Sequence, residues 1–220
     1  MLEAYKTYLE LLDNRIAQYF EQSKDFVFCK EGCSSCCEKG QYPCSQLEFT
    51  YILQGSLDLK PAQLAIIDKN IAEIKKQQRE CEDRPTFTYR CPFLIENRCS
   101  VYHHRAFICR THGLAFYIDE NVELKLPGCF HIGLNYSNVF ELNEKGSPVL
   151  ISRERCEQLG IEEDPLAYNL GLKTLLYNED TQRLKLKFGD NKALIDWLEE
   201  GCVGRGRAVE GEFSQYSTSK

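Results

Sequence analysis

The stretch Cys29-Lys30-Glu31-Gly32-Cys33-Ser34-Ser35-Cys36-Cys37 contains four cysteines within nine residues. Thiols spaced this closely seldom serve packing alone, and they predict a metal site. The glycine and the two serines allow the backbone to curl around a small object. We therefore expect this stretch to form a loop that holds a metal centre, and we expect the fold to be organised around that centre.

Four more patterned cysteines follow between residues 91 and 129. One four-coordinate ion cannot use eight thiolates. A polynuclear cluster, two separate sites, or one site with supporting cysteines would account for the excess. The candidate metal ligands are Cys29, Cys33, Cys36, Cys37, Cys91, Cys99, Cys109 and Cys129.

The spacing Cys29-x3-Cys33-x2-Cys36 favours an iron–sulfur cluster. Three thiolates on one tight loop can hold three corners of a [4Fe–4S] cube while a fourth ligand comes from elsewhere. The same spacing occurs in radical S-adenosylmethionine enzymes. The repeated strand and helix units of their partial barrel are not predicted downstream, which weighs against that class.

Zinc is the alternative. A zinc site usually pairs two short knuckles, and in the first stretch only Cys33-x2-Cys36 has that form. A second zinc constellation would combine Cys109-x2-His112 with Cys129-x-His131. In either case the vicinal Cys36 and Cys37 cannot easily direct both sulfurs to one ion, because adjacent side chains diverge.

The remaining four cysteines show no pattern. We interpret Cys81, Cys156 and Cys202 as thiols that behave as small hydrophobic side chains, and Cys44 as an intermediate case. An even total of twelve cysteines would also suit a secreted, disulfide-rich protein. The vicinal pair and an amphipathic, charged start without an export signal weigh against that class.

Length and composition indicate the cellular compartment and argue against some classes of binding partner. The chain has 220 residues, enough to bury a core, and a net charge of −6, which argues against nucleic-acid binding. No apolar run approaches the roughly 20 residues of a membrane span. We therefore expect a cytoplasmic protein without membrane partners, in which reduced thiols are available as ligands.

Hydrophobic periodicity predicts helices on both sides of the cysteine-rich middle segment. The middle segment itself contains a predicted hairpin about Asp119-Glu120-Asn121, which would bring the region of Cys109 beside that of Cys129. We expect the two cysteine segments to meet around the metal. The predicted elements are a helix from Leu2 to Tyr19, a capping box at Ser45–Glu48 with a helix to Gly55, a helix from Pro61 to Glu80, hairpin strands at 114–118 and 122–126, and helical packing elements at 166–176 and 193–198.

Together these patterns predict an α+β fold, mainly α-helical, with helices around a cysteine-rich metal-binding centre and one short β-hairpin. We expect a single domain over residues 1–200, with a cysteine-cluster core at 26–136 and a flexible C-terminal tail at 201–220.

The patterned cysteines belong to a series of motifs that follow one another in a fixed order: Cys29-x3-Cys33-x2-Cys36-Cys37, Cys91-Pro92-Phe93-Leu94, Cys99-Ser100-Val101-Tyr102, Arg105, Cys109-Arg110-Thr111-His112-Gly113, and Cys129 ahead of Asn135. Together these motifs resemble the YkgJ-like cysteine-cluster (CxxCxxCC) family of zinc- or iron-chelating domains. The resemblance covers about residues 26–136, and Ala106 departs from the proline that is common there. It implies that the eight cysteines belong to one functional unit, with the metal left open.

The residues around the predicted ligands have expected roles of their own. Arg105 and Arg110 flank Cys109, where guanidinium groups would offset the negative charge of bound thiolates, although a surface salt bridge is an equal interpretation for Arg105. Phe93 and Tyr102 are expected to pack around the site. His103 and His104 are expected to face solvent.

These expectations favour a cytosolic iron–sulfur protein with a redox role that works with an unidentified protein or redox partner. The alternative is a zinc-binding structural or interaction module without catalysis. A third class is a protein-modifying enzyme, since a domain of the resembling family occurs in flagellin lysine methylases. The sequence contains no Gly-rich phosphate loop or nucleophile elbow, so it predicts neither a substrate nor catalytic residues.

Overall fold

The computed structural model of the chain describes residues 1–30 and 32–200. Within these residues helices predominate, and the strands form four small sheets. The predicted fold class, a mainly helical α+β protein, is confirmed. The predicted flexible tail at 201–220 lies outside the described residues.

The chain divides into two compact units. The first unit contains Met1–Glu3, Cys37–Cys109 and the described residues from Leu186 onward, and the second unit contains Ala4–Cys36 and Arg110–Lys185. Each unit is therefore assembled from segments far apart in sequence. The single domain over residues 1–200 and the enclosed cysteine-rich centre stay predictions.

Two helices of the first unit begin where local sequence predicts them. They are α3, Gln46–Ser56, and α4, Pro61–Glu80. The capping box forms at the start of α3: the Glu48 N–H donates to Ser45 Oγ (3.3 Å), and the Ser45 N–H donates to Glu48 Oε2 (2.8 Å). Proline at the first turn of α4 costs no hydrogen bond, because that N–H has no intrahelical partner.

The C-terminal end of the described chain completes the first unit. Strand β1, Pro43–Ser45, pairs antiparallel with β9, Asn191–Ala193, which leads directly into α9, Leu194–Glu200. Trp197 of α9 stacks on Phe49 and donates its indole N–H to the Cys44 carbonyl (2.9 Å). The predicted element at 193–198 is thus helical from Leu194, and it packs into the core that α3 and α4 share.

The second unit begins with α1, Leu2–Gln22, the predicted N-terminal helix, whose first two residues fall in the first unit. It buries Tyr5, Tyr8, Leu9, Leu12 and Ile16, which follow the helical spacing seen in the sequence. The predicted hairpin also forms, from β4, Phe116–Ile118, and β5, Asn121–Lys125.

The stretch predicted as helical from Leu166 differs from the expectation. Strand β8, Tyr168–Asn169, adds to β4 in parallel, and helix α7, Leu172–Leu176, starts only after Gly171. Leucines at 166 and 170 fit a helical spacing, but the free edge of β4 offers hydrogen bonds that this short segment satisfies: the Tyr168 N–H donates to the Ala115 carbonyl (3.0 Å). Tertiary pairing overrides local periodicity here.

Further short elements accompany those predicted. Two more hairpins add to the predicted one, and the short helices α2, Ser35–Glu38, and α5, Phe107–Thr111, each contain a position at which the chain passes between the units. The remaining elements are β2, Leu94–Ile95; β3, Arg98–Cys99; β6, Phe140–Leu142; β7, Pro148–Leu150; α6, Arg153–Gln158; α8, Glu179–Arg183; and 3-10 turns at Arg84–Thr86, Tyr102–His104 and Gly128–Ile132.

Gly55 is required by the packing of α3 against the turn at Tyr102–His104. A Cβ at this position would overlap the His104 imidazole and lie 2.8 Å from His104 Cβ. We expect Gly55→Ala to lower the free energy of unfolding by about 1–3 kcal/mol through overpacking, despite the better helix propensity of alanine. Urea denaturation measures this change.

Gly128→Ala is the matched control, because nothing lies within 4 Å of the position that a Cβ would take there. In a Gly55→Ala/His104→Gly double variant the imidazole and its Cβ are both removed and the clash is relieved, so the alanine at 55 should cost nothing beyond His104→Gly. A Gly55→Ala protein as stable as the unchanged chain would contradict the assigned packing.

Candidate metal centre

The eight predicted ligands divide evenly between the two units. The boundary between the units falls between the vicinal residues Cys36 and Cys37, and a second boundary falls directly after Cys109. The second unit contains Cys29, Cys33, Cys36 and Cys129, and the first unit contains Cys37, Cys91, Cys99 and Cys109.

The cysteines of the described chain are thiols rather than disulfides. Cys44 and Cys156 are each only 1% exposed, and burial raises the pKa of the Cys44 thiol. Cys156 thus suits its interpretation as a small hydrophobic side chain, and Cys44, the intermediate case, is buried to the same extent. Cys81 lies at the end of α4, where its Sγ is 3.4 Å from the Asp83 carbonyl, and Cys202 lies outside the described residues.

The cysteine loop ends in a helical turn, which the sequence did not predict. Gly32 adopts a positive φ of 86°, and the Cys33 N–H donates to the Lys30 carbonyl (3.0 Å), which gives the loop its curl. Cys36 and Cys37 then lie on α2. Successive residues on a helix are rotated by about 100°, so these two thiols point in different directions. Their assignment to different units agrees with this geometry.

Asn135 anchors the loop within the second unit. Its side chain is fully buried and makes three hydrogen bonds: Oδ1 accepts from the Phe28 N–H (2.8 Å), and Nδ2 donates to the Gly113 carbonyl (2.8 Å) and to Cys29 Sγ (3.2 Å). A backbone N–H can only donate and a carbonyl can only accept, which fixes the orientation of the amide. An N–H donor is therefore directed at the Cys29 sulfur.

Gly113 lies against the same sulfur. Its φ is +108°, and an added Cβ would lie 3.2 Å from Cys29 Sγ and 3.0 Å from Asn135 Nδ2. Any side chain here would strain the backbone and crowd the thiol. Asn135 and Gly113 thus form a cradle for Cys29 that the spacing of the cysteines did not predict. Their only signal in the sequence was that both fall within the motifs resembling the cysteine-cluster family.

Electrostatic interactions connect the four thiols of the second unit. Cys29 is exposed as a residue, but partial desolvation of its sulfur raises its pKa; the Asn135 amide opposes this change, and negative charge on Cys33 and Cys36 adds to it. Burial, followed by the charge on Cys29, raises the pKa of Cys129 to about 11, while the backbone N–H of Asn135 lowers it. The loop and Cys129 thus lie close together, and Asn135 supplies N–H donors to two of the four sulfurs.

Cys29, Cys33, Cys36 and Cys129 are the candidate cluster ligands of the second unit, with N–H donors directed at two of the four sulfurs. Iron–sulfur clusters take four cysteine ligands, and hydrogen bonds to the sulfurs adjust their potential. Cys29 and Cys33 are exposed, Cys36 is partly exposed and Cys129 is buried. The set therefore reaches the surface of its unit on the loop side.

The four thiols of the first unit lie on a different framework. The Cys91 N–H donates to the Cys37 carbonyl (2.8 Å), and Cys99 lies opposite Leu94 in the β2–β3 hairpin. Cys91 belongs to the hydrophobic core of this unit, and Cys37, Cys99 and Cys109 pack against that core.

The arginines and aromatic residues near Cys109 depart in part from expectation. Arg110 is 5% exposed, and its Nη1 donates to both carboxylate oxygens of Asp13 (2.8 and 2.6 Å). The Arg105 guanidinium lies 3.9 Å from the centre of the Tyr102 ring. Tyr102 was expected to pack around the site, but it is 54% exposed, whereas Phe93 is buried as expected. A charge-offsetting role for both arginines stays a prediction.

The four histidines differ in their exposure to solvent. His103 and His131 are exposed, whereas His104 is partly buried with its ring 4.5 Å from that of Tyr51. His112 is partly buried as well. The zinc constellation of Cys109, His112, Cys129 and His131 stays a prediction.

Across residues 1–30 and 32–200, no group of three or more cysteine, histidine, aspartate or glutamate side chains is arranged to hold a metal ion as it stands. In the same part of the chain, no helix has both the length and the apolar character needed to cross a membrane. Comparisons with protein families, curated proteins and solved structures find no match for this chain. The resemblance to the YkgJ-like family therefore stays a prediction.

His112 makes the stability of the protein sensitive to acid. Burial lowers the pKa of its imidazole below the ordinary value of 6.5. The folded state then binds fewer protons than the unfolded state, so stability is lost as the pH falls below 6.5. We expect His112→Gln to unfold with a shallower dependence on pH between neutrality and about pH 5, measured by urea denaturation at a series of pH values.

His131→Gln is the control, because His131 is exposed. It removes an exposed imidazole in place of a partly buried one, so its slope is the reference against which the slope of His112→Gln is compared. If both variants gave the same slope, burial of the His112 imidazole would not be the cause of the acid sensitivity.

Proposed function

We propose that Cys29, Cys33, Cys36 and Cys129 bind a [4Fe–4S] cluster and that the protein is a cytoplasmic iron–sulfur protein that exchanges electrons with a redox partner protein. The observation that carries this proposal is the Asn135 amide, which donates to Cys29 Sγ at 3.2 Å and is held in place by Phe28 and Gly113. A buried amide directed at a thiol suits a sulfur that carries negative charge, as a ligand thiolate does.

The positions of the four proposed ligands along the chain support an iron–sulfur cluster. Three thiols lie on one short loop and the fourth, Cys129, comes from a distant segment of the same unit. A three-plus-one arrangement along the chain is usual among the cysteine ligands of a [4Fe–4S] cluster, and these four cysteines are among the eight that the resemblance to the YkgJ-like family groups into one functional unit.

The cluster would supply a site that accepts and releases one electron. The protein residues would set its properties: Asn135 would stabilise the charge on Cys29, and Gly113 would leave room for that sulfur. The exposure of Cys29 and Cys33 favours an exchange of electrons at the protein surface. Binding would also release the thiol protons, because ligand thiols must be deprotonated.

We expect replacement of Cys29, Cys33 and Cys36 by serine in one variant to lower bound iron and acid-labile sulfide well below one cluster per chain. Three of the four ligands are then lost. Anaerobic purification followed by iron and sulfide analysis and visible absorption measures the result. Cys81→Ser should keep the cluster, because Cys81 lies outside both sets of four.

A full complement of iron in the triple variant would refute the ligand assignment. A colourless chain that binds zinc through these cysteines, and no iron under anaerobic purification, would assign the site to zinc and make the protein a structural module.

We expect Asn135→Asp to lower the occupancy and the reduction potential of the cluster. The aspartate keeps an oxygen for the Phe28 N–H, but it replaces the donor to Cys29 and Gly113 with an acceptor. Loss of an N–H···S bond and added negative charge both disfavour the reduced cluster. Iron analysis and protein-film voltammetry measure the two effects.

Asn138→Asp provides a matched control with the same change of charge in the same segment. Its side-chain amide donates to the Asp25 carbonyl (3.2 Å). Equal potentials and equal occupancies for the two variants would show that the Asn135 amide does not act on the cluster.

A further inference from the structure

We propose that the first unit contains a second metal site, in which Cys37, Cys91, Cys99 and Cys109 bind one zinc ion. This inference goes beyond the iron–sulfur proposal and does not depend on it. It rests on the backbone hydrogen bonds that connect Cys37, Cys91 and the segment of Cys99, and on the packing of Cys109 against the core to which Cys91 belongs.

Cys37 and Cys91 are joined by a backbone ladder. The Cys91 N–H donates to the Cys37 carbonyl (2.8 Å), and Gly40 and Tyr89 exchange two further backbone hydrogen bonds (3.0 and 2.9 Å). The two segments are more than fifty residues apart in sequence, yet three hydrogen bonds hold them side by side. The register places the two cysteines at the same end of this ladder.

Cys91 lies on the turn that leads into the β2–β3 hairpin, and Cys99 is the last residue of that hairpin. The Leu94 N–H donates to the Cys91 carbonyl (3.1 Å), and Leu94 then pairs with Cys99 across β2 and β3. Glu96 and Asn97 both have positive φ (49° and 60°), which is the conformation of a tight two-residue hairpin turn. The spacing between these two cysteines is therefore fixed by backbone geometry.

Cys109 is brought to the same core by the start of α5. The buried carboxylate of Glu48 accepts from the Phe107 N–H (2.8 Å), and Glu48 is itself held by Ser45. Cys109 packs against the core cluster to which Cys91 belongs, as do Cys37 and Cys99.

The chemistry of this set favours zinc over a cluster. Four thiolates form a closed tetrahedral zinc site with no open position, and such sites stabilise a fold by joining separate segments. Here the ion would connect α2, the β2–β3 hairpin and α5. The set is built on a hydrophobic core, and Cys91 is only 7% exposed, whereas two of the cluster thiols proposed above are exposed.

The proposal is tested on the full chain purified without oxygen from cells supplied with iron and zinc. Native mass spectrometry of the unchanged protein should show about one zinc ion per chain in addition to any iron–sulfur cluster. Cys91→Ser/Cys99→Ser should lose the zinc and keep the iron content of the unchanged protein. Cys29→Ser/Cys33→Ser should keep the zinc, whatever happens to the iron.

Cys81→Ser is the control in the first unit, and it should keep all bound metal. Replacement of zinc by Co²⁺ in the Cys29→Ser/Cys33→Ser variant should give the intense sulfur-to-cobalt absorption of a four-thiolate tetrahedral site. This readout needs neither the cluster nor a folded Cys91→Ser/Cys99→Ser variant.

Native protein without zinc, or with iron in both sites, would overturn the zinc assignment. Loss of zinc in the Cys29→Ser/Cys33→Ser variant would show that the eight cysteines form one centre instead of two. Iron missing from a protein that keeps its zinc through Cys91 and Cys99 would refute the proposed cluster alone, so the two proposals fail separately.

Discussion

Two neighbouring residues on a helical turn cannot direct their side chains to one small ion, because the turn rotates them by about 100° relative to each other. Cys36 and Cys37 occupy such positions on α2. The chain is divided between its two units at this peptide bond, and each unit contains four of the eight patterned cysteines. One cysteine of the vicinal pair belongs to each unit. The peptide bond between them is thus a point at which the thiols are divided into two sets.

The two sets differ in how their units support them. In the second unit a fully buried amide, Asn135, joins the backbone at Phe28, the Gly113 carbonyl and the Cys29 sulfur. In the first unit the support comes from the main chain, through the ladder beside Cys91 and the tight hairpin that ends at Cys99. Hydrogen bonds to sulfur suit a centre whose charge changes, and a rigid backbone suits a centre that only holds segments together. The proposals of a cluster in one unit and zinc in the other follow from this contrast.

The buried polar network of the first unit shows how the site depends on the fold. Glu48 completes the capping box of α3 and also accepts from the Phe107 N–H at the start of α5. A buried carboxylate is stable only when such donors surround it. The residue that begins one helix therefore also fixes the start of the element that contains Cys109. In the second unit Arg110, directly after this cysteine, is tied in a comparable way to Asp13 of α1.

Local sequence determined the helices α1, α3 and α4, the capping box at Ser45 and the hairpin of β4 and β5, because periodicity, capping and turn chemistry act over a few residues. It also indicated which cysteines are patterned and that Cys36 and Cys37 diverge. Only the tertiary structure decided that Tyr168 forms a strand on the edge of β4, that Asn135 donates to Cys29, and that the eight thiols fall into two sets of four. These features depend on contacts between segments far apart in the chain. Spacing along the sequence contains no information about such contacts, since they are fixed only when burial and hydrogen bonding of distant groups are satisfied together.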